Sequence, residues 1–189
     1  NETPQIPMLF VKPSPAAVGP GEPIIYRPEG QNVHFEGELA VVIGKTARRV
    51  SEADALDAVL GYTCANDVSE RVIQAKEMAL GCLLVGKAFD SFCPLGPVIA
   101  TGLDPENLVL EAFLNGDKRQ SINTSDLLFS CRQLVSYLSQ AITLLPGDVI
   151  ITGTPAGVGP VKPGDQVDIT IEGIGTLTNP VIAERPGGA

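Results

Sequence analysis

The chain has 189 residues, enough for one domain with a sizeable core, and its 44% hydrophobic and 19% charged residues exclude a disordered chain. A net charge of −9 argues against a nucleic-acid partner, because phosphate binding needs a cationic surface. No apolar run approaches the ~20 residues that span a bilayer, so no membrane partner is expected.

The N-terminal residues 1–28 are Pro-rich and predict an extended segment, and residues 29–189 predict a single domain. Hydrophobic spacing and turn residues predict three helices, over residues 51–60, 69–80 and about 130–144. They predict strands over residues 33–44, 62–66, 108–115, 149–152 and 166–172, and a further strand after the turn at 173–175. Strands do not alternate strictly with helices. The pattern therefore favours an α+β, β-dominated fold over a doubly wound sheet.

Two carboxylates lie in the first strand, at Glu36 and Glu38. Side chains of a strand alternate, so both point to one face, about 7 Å apart, opposite an apolar row that includes Phe35 and Leu39. A cation between the two carboxylates would remove their repulsion, and all-oxygen ligands suit Mg²⁺, Mn²⁺ or Ca²⁺. The alternative is a solvated strand face, which these two residues taken alone favour.

Three further features could carry chemistry, and each has a simpler explanation. Asp67, Arg71 and Gln74 can align on one stripe of the second helix, or Asp67 can cap that helix and pair with Arg71 on the surface. Lys87 follows an apolar stretch that could bury it, although a lone lysine is usually a surface charge. The Gly-rich turn over 153–159 can aim N–H groups at an anion, but it lacks the Lys-Ser/Thr ending of a nucleotide-binding loop.

Six segments, in order and together covering about residues 8–181, resemble the fumarylacetoacetate hydrolase family. They are FEGELAVVIGK, GYTCANDVSER, GKAFDSFCPLGP, NGDKRQSINTSDLLFS, LLPGDVIITGTPAGVG and KPGDQVDITIEGIGTLTNPV. The resemblance implies the family's mixed β-sandwich roll, a catalytic domain over residues 29–189, and a homodimer.

The resemblance also implies a site. It implies that Mg²⁺ or Mn²⁺, with Ca²⁺ also possible, is held by Glu36, Glu38 and Asp67. It implies that the oxygens of a small keto-acid substrate are held by Arg71, Gln74, Lys87 and Thr154. Lys87 is the implied catalytic residue, because its positive charge would stabilise an enolate.

The chain departs from the family pattern in two places. Relatives usually carry, upstream of the segment that matches Met8, a lid with a His and a Glu that activate water, and the sequence given does not contain this segment. We interpret His34, the only histidine, as a structural or supporting residue on the face of the two glutamates rather than as the missing base. The stretch MALGCLLVGK before Lys87 replaces a polar and aromatic stretch of many relatives.

The leading hypothesis is a divalent-metal-dependent hydrolase that cleaves a C–C bond in a 1,3-diketo acid of the acylpyruvate or fumarylpyruvate type. A β-keto acid decarboxylase acting on oxaloacetate-type substrates, or a 2-hydroxyhepta-2,4-diene-1,7-dioate isomerase, is the alternative. A further alternative is a catalytically silent domain that binds a metal or metabolite. The four cysteines have no metal-ligand spacing, so we expect reduced thiols in a cytoplasmic protein.

Overall fold

The computed structural model describes residues 4–185. Within this range the helices are α1 (Arg71–Ala79), α2 (Val85–Ala88) and α3 (Cys131–Ala141), and short 3-10 turns lie at Ser14–Ala16, Ala55–Ala58 and Thr124–Asp126. The strands are β1 (Ala17–Val18), β2 (Ile24–Tyr26), β3 (Val33–Phe35), β4 (Gly37–Ile43), β5 (Val59–Asn66), β6 (Ser69–Glu70), β7 (Cys93–Ala100), β8 (Val109–Leu114), β9 (Asp117–Asn123), β10 (Val149–Ile151), β11 (Gly159–Pro160), β12 (Gln166–Ile171) and β13 (Gly175–Ala183). None of these helices is long and apolar enough to cross a membrane.

The strands of the described residues form three sheets, of which the two larger ones are mixed and the smallest is antiparallel. One five-stranded sheet has the order β1-β7-β5-β4-β10, the other has the order β2-β13-β12-β8-β9, and a three-stranded sheet has the order β11-β3-β6. β1 is parallel to β7 and β2 is parallel to β13, whereas the other pairs are antiparallel. The β-dominated α+β fold predicted from the sequence is confirmed.

The core lies between the two five-stranded sheets, where β12 and β13 pack against β4, β5 and β7. β4 is buried along its whole length, which explains its nearly continuous apolar sequence. The fully buried hydrophobic side chains are mostly aliphatic, although polar side chains such as Gln120 and Glu70 are buried as deeply. The largest of the hydrophobic ones are Phe35, Phe92, Ile24, Leu39, Ile43, Ile169, Ile171 and Leu177.

The strand predicted over 33–44 is divided at Glu36. β3 pairs with β6 and β11 in the small sheet, while β4 pairs with β5 and β10 in a large one. At the division, the Glu36 N–H donates to Asn66 Oδ1 at 3.0 Å and the Glu36 carbonyl accepts from the Asp67 N–H at 2.9 Å. Glu36 therefore lies where two sheets meet, directly beside the end of β5.

The helix predicted over 51–60 is wrong. Only the 3-10 turn Ala55–Ala58 forms there, and β5 begins at Val59. Ser51 and Asp54 do interact, through a hydroxyl–carboxylate hydrogen bond of 2.6 Å, but they close a turn instead of starting a helix. Pairing of Val59 with Ile43 of β4 then takes the following residues into the sheet, so tertiary pairing overrides the local helical pattern.

The other two predicted helices are confirmed, with shorter ends. α1 is capped by Glu70, whose side chain accepts from the Ile73 N–H, and α3 begins with a capping box between Ser130 and Gln133. The division of the chain at residue 28 stays a prediction. Within the N-terminal segment, β1 and β2 each join the edge of one of the five-stranded sheets.

Candidate metal and substrate site

Three carboxylates come together where β4 begins and β5 ends. Gly37 pairs with Asn66 and Glu38 pairs with Ala65, so this register places Glu36, Glu38 and Asp67 side by side. Each offers an oxygen within 4.8 Å of the others, and all three are buried. The carboxylate oxygens thus lie closer together than the spacing of about 7 Å between alternate residues of a strand, which the flexible glutamate side chains allow.

Burial of the three acids is electrostatically costly. The pKa of Glu38 is raised well above its ordinary value, first by burial and then by the negative charges of Asp67 and Glu36. Glu38 accepts a hydrogen bond of 2.7 Å from the Gly153 N–H, and no ion pair to it occurs within residues 4–185. Three hard oxygen donors, one of them without a cationic partner, are a donor set that fits a divalent cation.

Lysine and arginine side chains surround the other two acids. Lys87, carried by α2, is buried and contacts Glu36 Oε2 at 3.0 Å and Asp67 Oδ2 at 2.5 Å. Arg71, the first residue of α1, donates to Glu36 Oε1 at 2.8 Å and to Gln74 Oε1 at 2.8 Å. The structure therefore brings Arg71, Gln74 and Lys87 to the carboxylate cluster. Their roles toward substrate stay predictions.

Lys12 is a charged residue of the site that the sequence reasoning missed. Its ammonium lies 2.6 Å from Asp67 Oδ1 and donates to the carbonyl oxygens of Val68 at 2.9 Å and Phe92 at 2.6 Å. Burial lowers the pKa of Lys12, and the charge of Asp67 opposes that effect. Lys12 thus ties the N-terminal segment to the loop that carries Asp67. The Phe10 ring of the same segment lies 4.9 Å from Lys87 Nζ.

Thr154 lies beside the start of β4, with its hydroxyl already hydrogen-bonded. It donates to the Gly37 carbonyl at 2.9 Å and accepts from Gln120 Nε2 at 2.8 Å. Gln120, a second residue that the sequence reasoning missed, also accepts from the Gly37 N–H at 2.9 Å and donates to the Pro155 carbonyl at 2.8 Å. Gln120 therefore joins β9, the start of β4 and the Gly-rich turn into one unit.

His34 lies on β3 and is not one of the clustered ligands. Its Nε2 lies 2.9 Å from Asn32 Oδ1, and its Nδ1 is buried without a hydrogen-bond partner. Burial, followed by the positive charge of Arg71, lowers the pKa of His34 and favours the neutral imidazole. This environment is compatible with the supporting role that we predicted from the sequence.

The Gly-rich turn requires glycine at Gly157, where a Cβ would overlap the carbonyl oxygen of Arg119 on β9 and where φ is +107°. Gly157→Ala is expected to lower the free energy of unfolding by about 2–4 kcal/mol, because backbone strain and overpacking add. Gly147→Ala is a matched control with φ of +94° and no neighbouring atom within 4 Å, so it should cost only about 1 kcal/mol. Urea denaturation of both variants checks this, and equal losses would contradict the predicted overlap.

The fold and site together define a β-rich enzyme domain with a buried carboxylate cluster of the kind that holds a divalent cation. Residues 1–182 match the family model described as fumarylacetoacetate (FAA) hydrolase C-terminal. The chain belongs to the fumarylacetoacetate hydrolase family and is an enzyme of that family.

Several known proteins are similar to the chain over most of its length. The structure of 2-hydroxyhepta-2,4-diene-1,7-dioate isomerase from Mycobacterium marinum is 49% identical, with a TM-score of 0.91, and the match covers 98% of this chain and 72% of that one. Maleylpyruvate hydrolase from Sphingobium sp. SYK-6, in complex with manganese(II) and pyruvate, is 40% identical, with a TM-score of 0.84 and coverage of 93% and 64%. The mitochondrial oxaloacetate tautomerase fahd2 of Xenopus laevis is 45% identical over 189 aligned positions, and the alignment covers 95% of this chain and 59% of that protein. The family membership predicted from the sequence is confirmed, and the relatives' names cover three different reactions.

Proposed function

We propose that the chain is a divalent-metal-dependent hydrolase that cleaves a C–C bond in a small 1,3-diketo acid of the acylpyruvate or fumarylpyruvate type. The observation that carries this proposal is the buried cluster of Glu36, Glu38 and Asp67 with Lys87 in direct contact. The similarity to a maleylpyruvate hydrolase that binds manganese(II) and pyruvate supports both the metal and the keto-acid class.

Glu36, Glu38 and Asp67 would hold the metal, which we propose to be Mg²⁺ or Mn²⁺, because hard carboxylate oxygens are the ligands both prefer. A bound divalent cation would polarise the substrate's carbonyl oxygens and favour the enolate that C–C cleavage requires. The same donor set would also accept Ca²⁺.

The surrounding side chains would bind and orient the substrate. The Arg71 guanidinium, held by Glu36 and Gln74, presents N–H donors of the kind that bind a carboxylate. Lys87 places a buried ammonium beside the carboxylates, where it would stabilise negative charge on a substrate oxygen. Thr154, fixed by Gln120 and Gly37 beside the start of β4, would help to position the substrate.

A second candidate function is decarboxylation of a β-keto acid, or isomerisation of a 2-hydroxydienoate. Both reactions need stabilisation of an enolate but no base to activate water. The identity to an oxaloacetate tautomerase and to a 2-hydroxyhepta-2,4-diene-1,7-dioate isomerase supports this class. A domain that binds a metal or metabolite without turnover is the third possibility that experiment must separate.

We also propose that the protein is a cytoplasmic homodimer and that its ligand is a small keto acid. The homodimer follows the family resemblance. The four cysteines are free thiols, three of them buried, which is typical of a protein that functions in a reducing compartment.

The test is loss of the enol absorbance of acetylpyruvate, measured with and without Mg²⁺, with oxaloacetate decarboxylation followed in parallel. Metal-dependent turnover of acetylpyruvate that Glu38→Gln abolishes is the expected result. Turnover of oxaloacetate alone would favour the second candidate. Metal binding with no turnover of either substrate would favour a binding domain and contradict the proposed hydrolase.

A further inference from the structure

An apolar surface lies beside the site and is not accounted for by the proposed chemistry. It consists of Met78, Leu80, Leu84 and Val85, which we call the apolar wall, and these side chains are 48%, 84%, 50% and 48% exposed. They belong to the end of α1, the loop that follows and the start of α2, and therefore to the segment that immediately precedes Lys87.

The apolar wall meets the carboxylate cluster through the helix face that carries Met78. Arg71, Gln74 and Met78 are spaced by three and four residues on α1, so they share one face of the helix. That face begins at Glu36, which Arg71 contacts at 2.8 Å, and continues through Gln74 to the exposed Met78. With increasing distance from the carboxylates, the stripe changes from charged to polar to apolar.

The part of the apolar wall that follows α1, at Leu84 and Val85, is held against that helix. Gly86 packs so closely on α1 that an added Cβ would lie 2.7 Å from the Gln74 backbone nitrogen. The Glu77 carboxylate accepts from the N–H groups of Leu84 at 3.2 Å, Val85 at 2.7 Å and Gly86 at 3.0 Å. These bonds fix the loop backbone at Leu84 and Val85 while both side chains remain half exposed.

The wall offers no cation to a second carboxylate of a substrate. Arg71 and Lys87, which contact Glu36, are assigned by the proposed function to the keto-acid head, and Lys12 is engaged by Asp67. None of these basic residues is therefore left for a second carboxylate at the far end of the substrate. Glu77 is an anion occupied by backbone donors, and the neighbouring Lys76, two positions before Met78, lies on a different face of α1. A carboxylate lying along this surface would lose hydration without gaining a partner, whereas an alkyl chain would gain apolar contact.

We propose that the apolar wall selects keto acids whose tail, beyond the keto-acid head held at the carboxylate cluster, is an alkyl or alkenyl group without a terminal carboxylate. This inference rests on the proposed function and narrows it to the acylpyruvate type. Each methylene that packs on the half-exposed wall should improve affinity about two- to fourfold.

The test measures binding, independently of turnover. With Mg²⁺ present, calorimetry compares pyruvate, which has the head alone, with 2-oxohexanoate and 2-oxoadipate, which differ at the far end of the chain by a methyl group against a carboxylate. We expect 2-oxohexanoate to bind at least about tenfold more tightly than 2-oxoadipate. In Leu84→Arg this preference should disappear or reverse while pyruvate affinity is unchanged. Leu128→Arg, which adds the same charge at a residue 68% exposed after β9, should keep the wild-type preference.

The outcomes separate the two proposals. If pyruvate binds but the two longer acids do not differ, or 2-oxoadipate binds more tightly, the wall proposal is overturned and the proposed function stands. If none of the three acids binds in the presence of Mg²⁺, both are overturned. If Leu84→Arg changes the oligomeric state and leaves the ligand preference intact, the wall is an interface between copies of the chain, which also overturns the proposal.

Discussion

Glu38→Gln is expected to make the metal-free protein more stable and to abolish its binding of divalent metal. The glutamine side chain is isosteric and its amide oxygen can still accept from the Gly153 N–H, whose bond to Glu38 is 2.7 Å long. The substitution removes a buried negative charge that faces two other acids and has no cationic partner among the described residues. We expect a gain of about 1–2 kcal/mol in the free energy of unfolding at neutral pH in the presence of EDTA.

The stability difference between Glu38→Gln and the wild type should depend on pH in a definite direction. Because the pKa of Glu38 is raised in the folded state, the folded protein binds more protons than the unfolded one. The wild-type protein therefore loses stability as pH rises from the unfolded pKa of a glutamic acid toward the folded pKa. The advantage of Glu38→Gln should be small at low pH and should grow as pH rises.

Urea denaturation at several pH values, with EDTA or with MnCl₂, measures both effects. Mn²⁺ should stabilise the wild type in proportion to the logarithm of its concentration and leave Glu38→Gln unaffected. Glu29→Gln, at an exposed carboxylate, is the control and should change stability by less than about 0.5 kcal/mol. A variant that is less stable than wild type at neutral pH in EDTA would show that Glu38 is not the costly charge.

The alternation of residues 33–43 predicted one buried apolar row, and Phe35, Leu39, Val41 and Ile43 are fully buried. The opposite face of β4 is buried as well, which the alternation did not predict. The alternation also could not predict the division at Glu36, because local alternation does not encode which sheet each half of a strand joins. That division depends on pairing with β5, about 25 residues later in the chain. The approach of Asp67 to the two glutamates is therefore a property of tertiary pairing.

The residues of the site that sequence reasoning missed share one property. Lys12 contacts Val68, 56 positions away, and Gln120 contacts Gly37, 83 positions away, so neither contact has a local pattern. Lys12 lies in a Pro-rich segment that predicts only extended chain. The resemblance supplied the ligands and Lys87 because those residues stand inside distinctive segments, whereas a lysine among prolines has no such context.

Lys87→Met is expected to raise the affinity for divalent metal while abolishing turnover. In the structure the Lys87 ammonium contacts Glu36 and Asp67, two of the three candidate metal ligands. The Lys87 ammonium and a bound cation would repel each other by about 4 kcal/mol if they lay about 4 Å apart at an effective dielectric constant of 20. A tenfold change in affinity corresponds to only about 1.4 kcal/mol. We therefore expect at least about tenfold tighter Mn²⁺ binding by calorimetry. Turnover should fall by about 10²–10³, because the ammonium would no longer stabilise charge on the substrate.

Lys87→Met should lower the stability of the metal-free protein, although it raises the affinity for metal. Loss of Lys87 leaves Glu36 with Arg71 and Asp67 with Lys12, and it removes a buried charge partner, which costs about 3–5 kcal/mol of unfolding free energy. Saturating Mn²⁺ should restore most of that loss, because the cation would neutralise the same carboxylates. Lys118→Met, which breaks an exposed pair with Glu111, should cost at most about 1 kcal/mol with or without metal. Weaker metal binding by Lys87→Met would instead mean that the ammonium holds Glu36 and Asp67 in place for the cation, and that its attraction for the two carboxylates outweighs its repulsion of the metal.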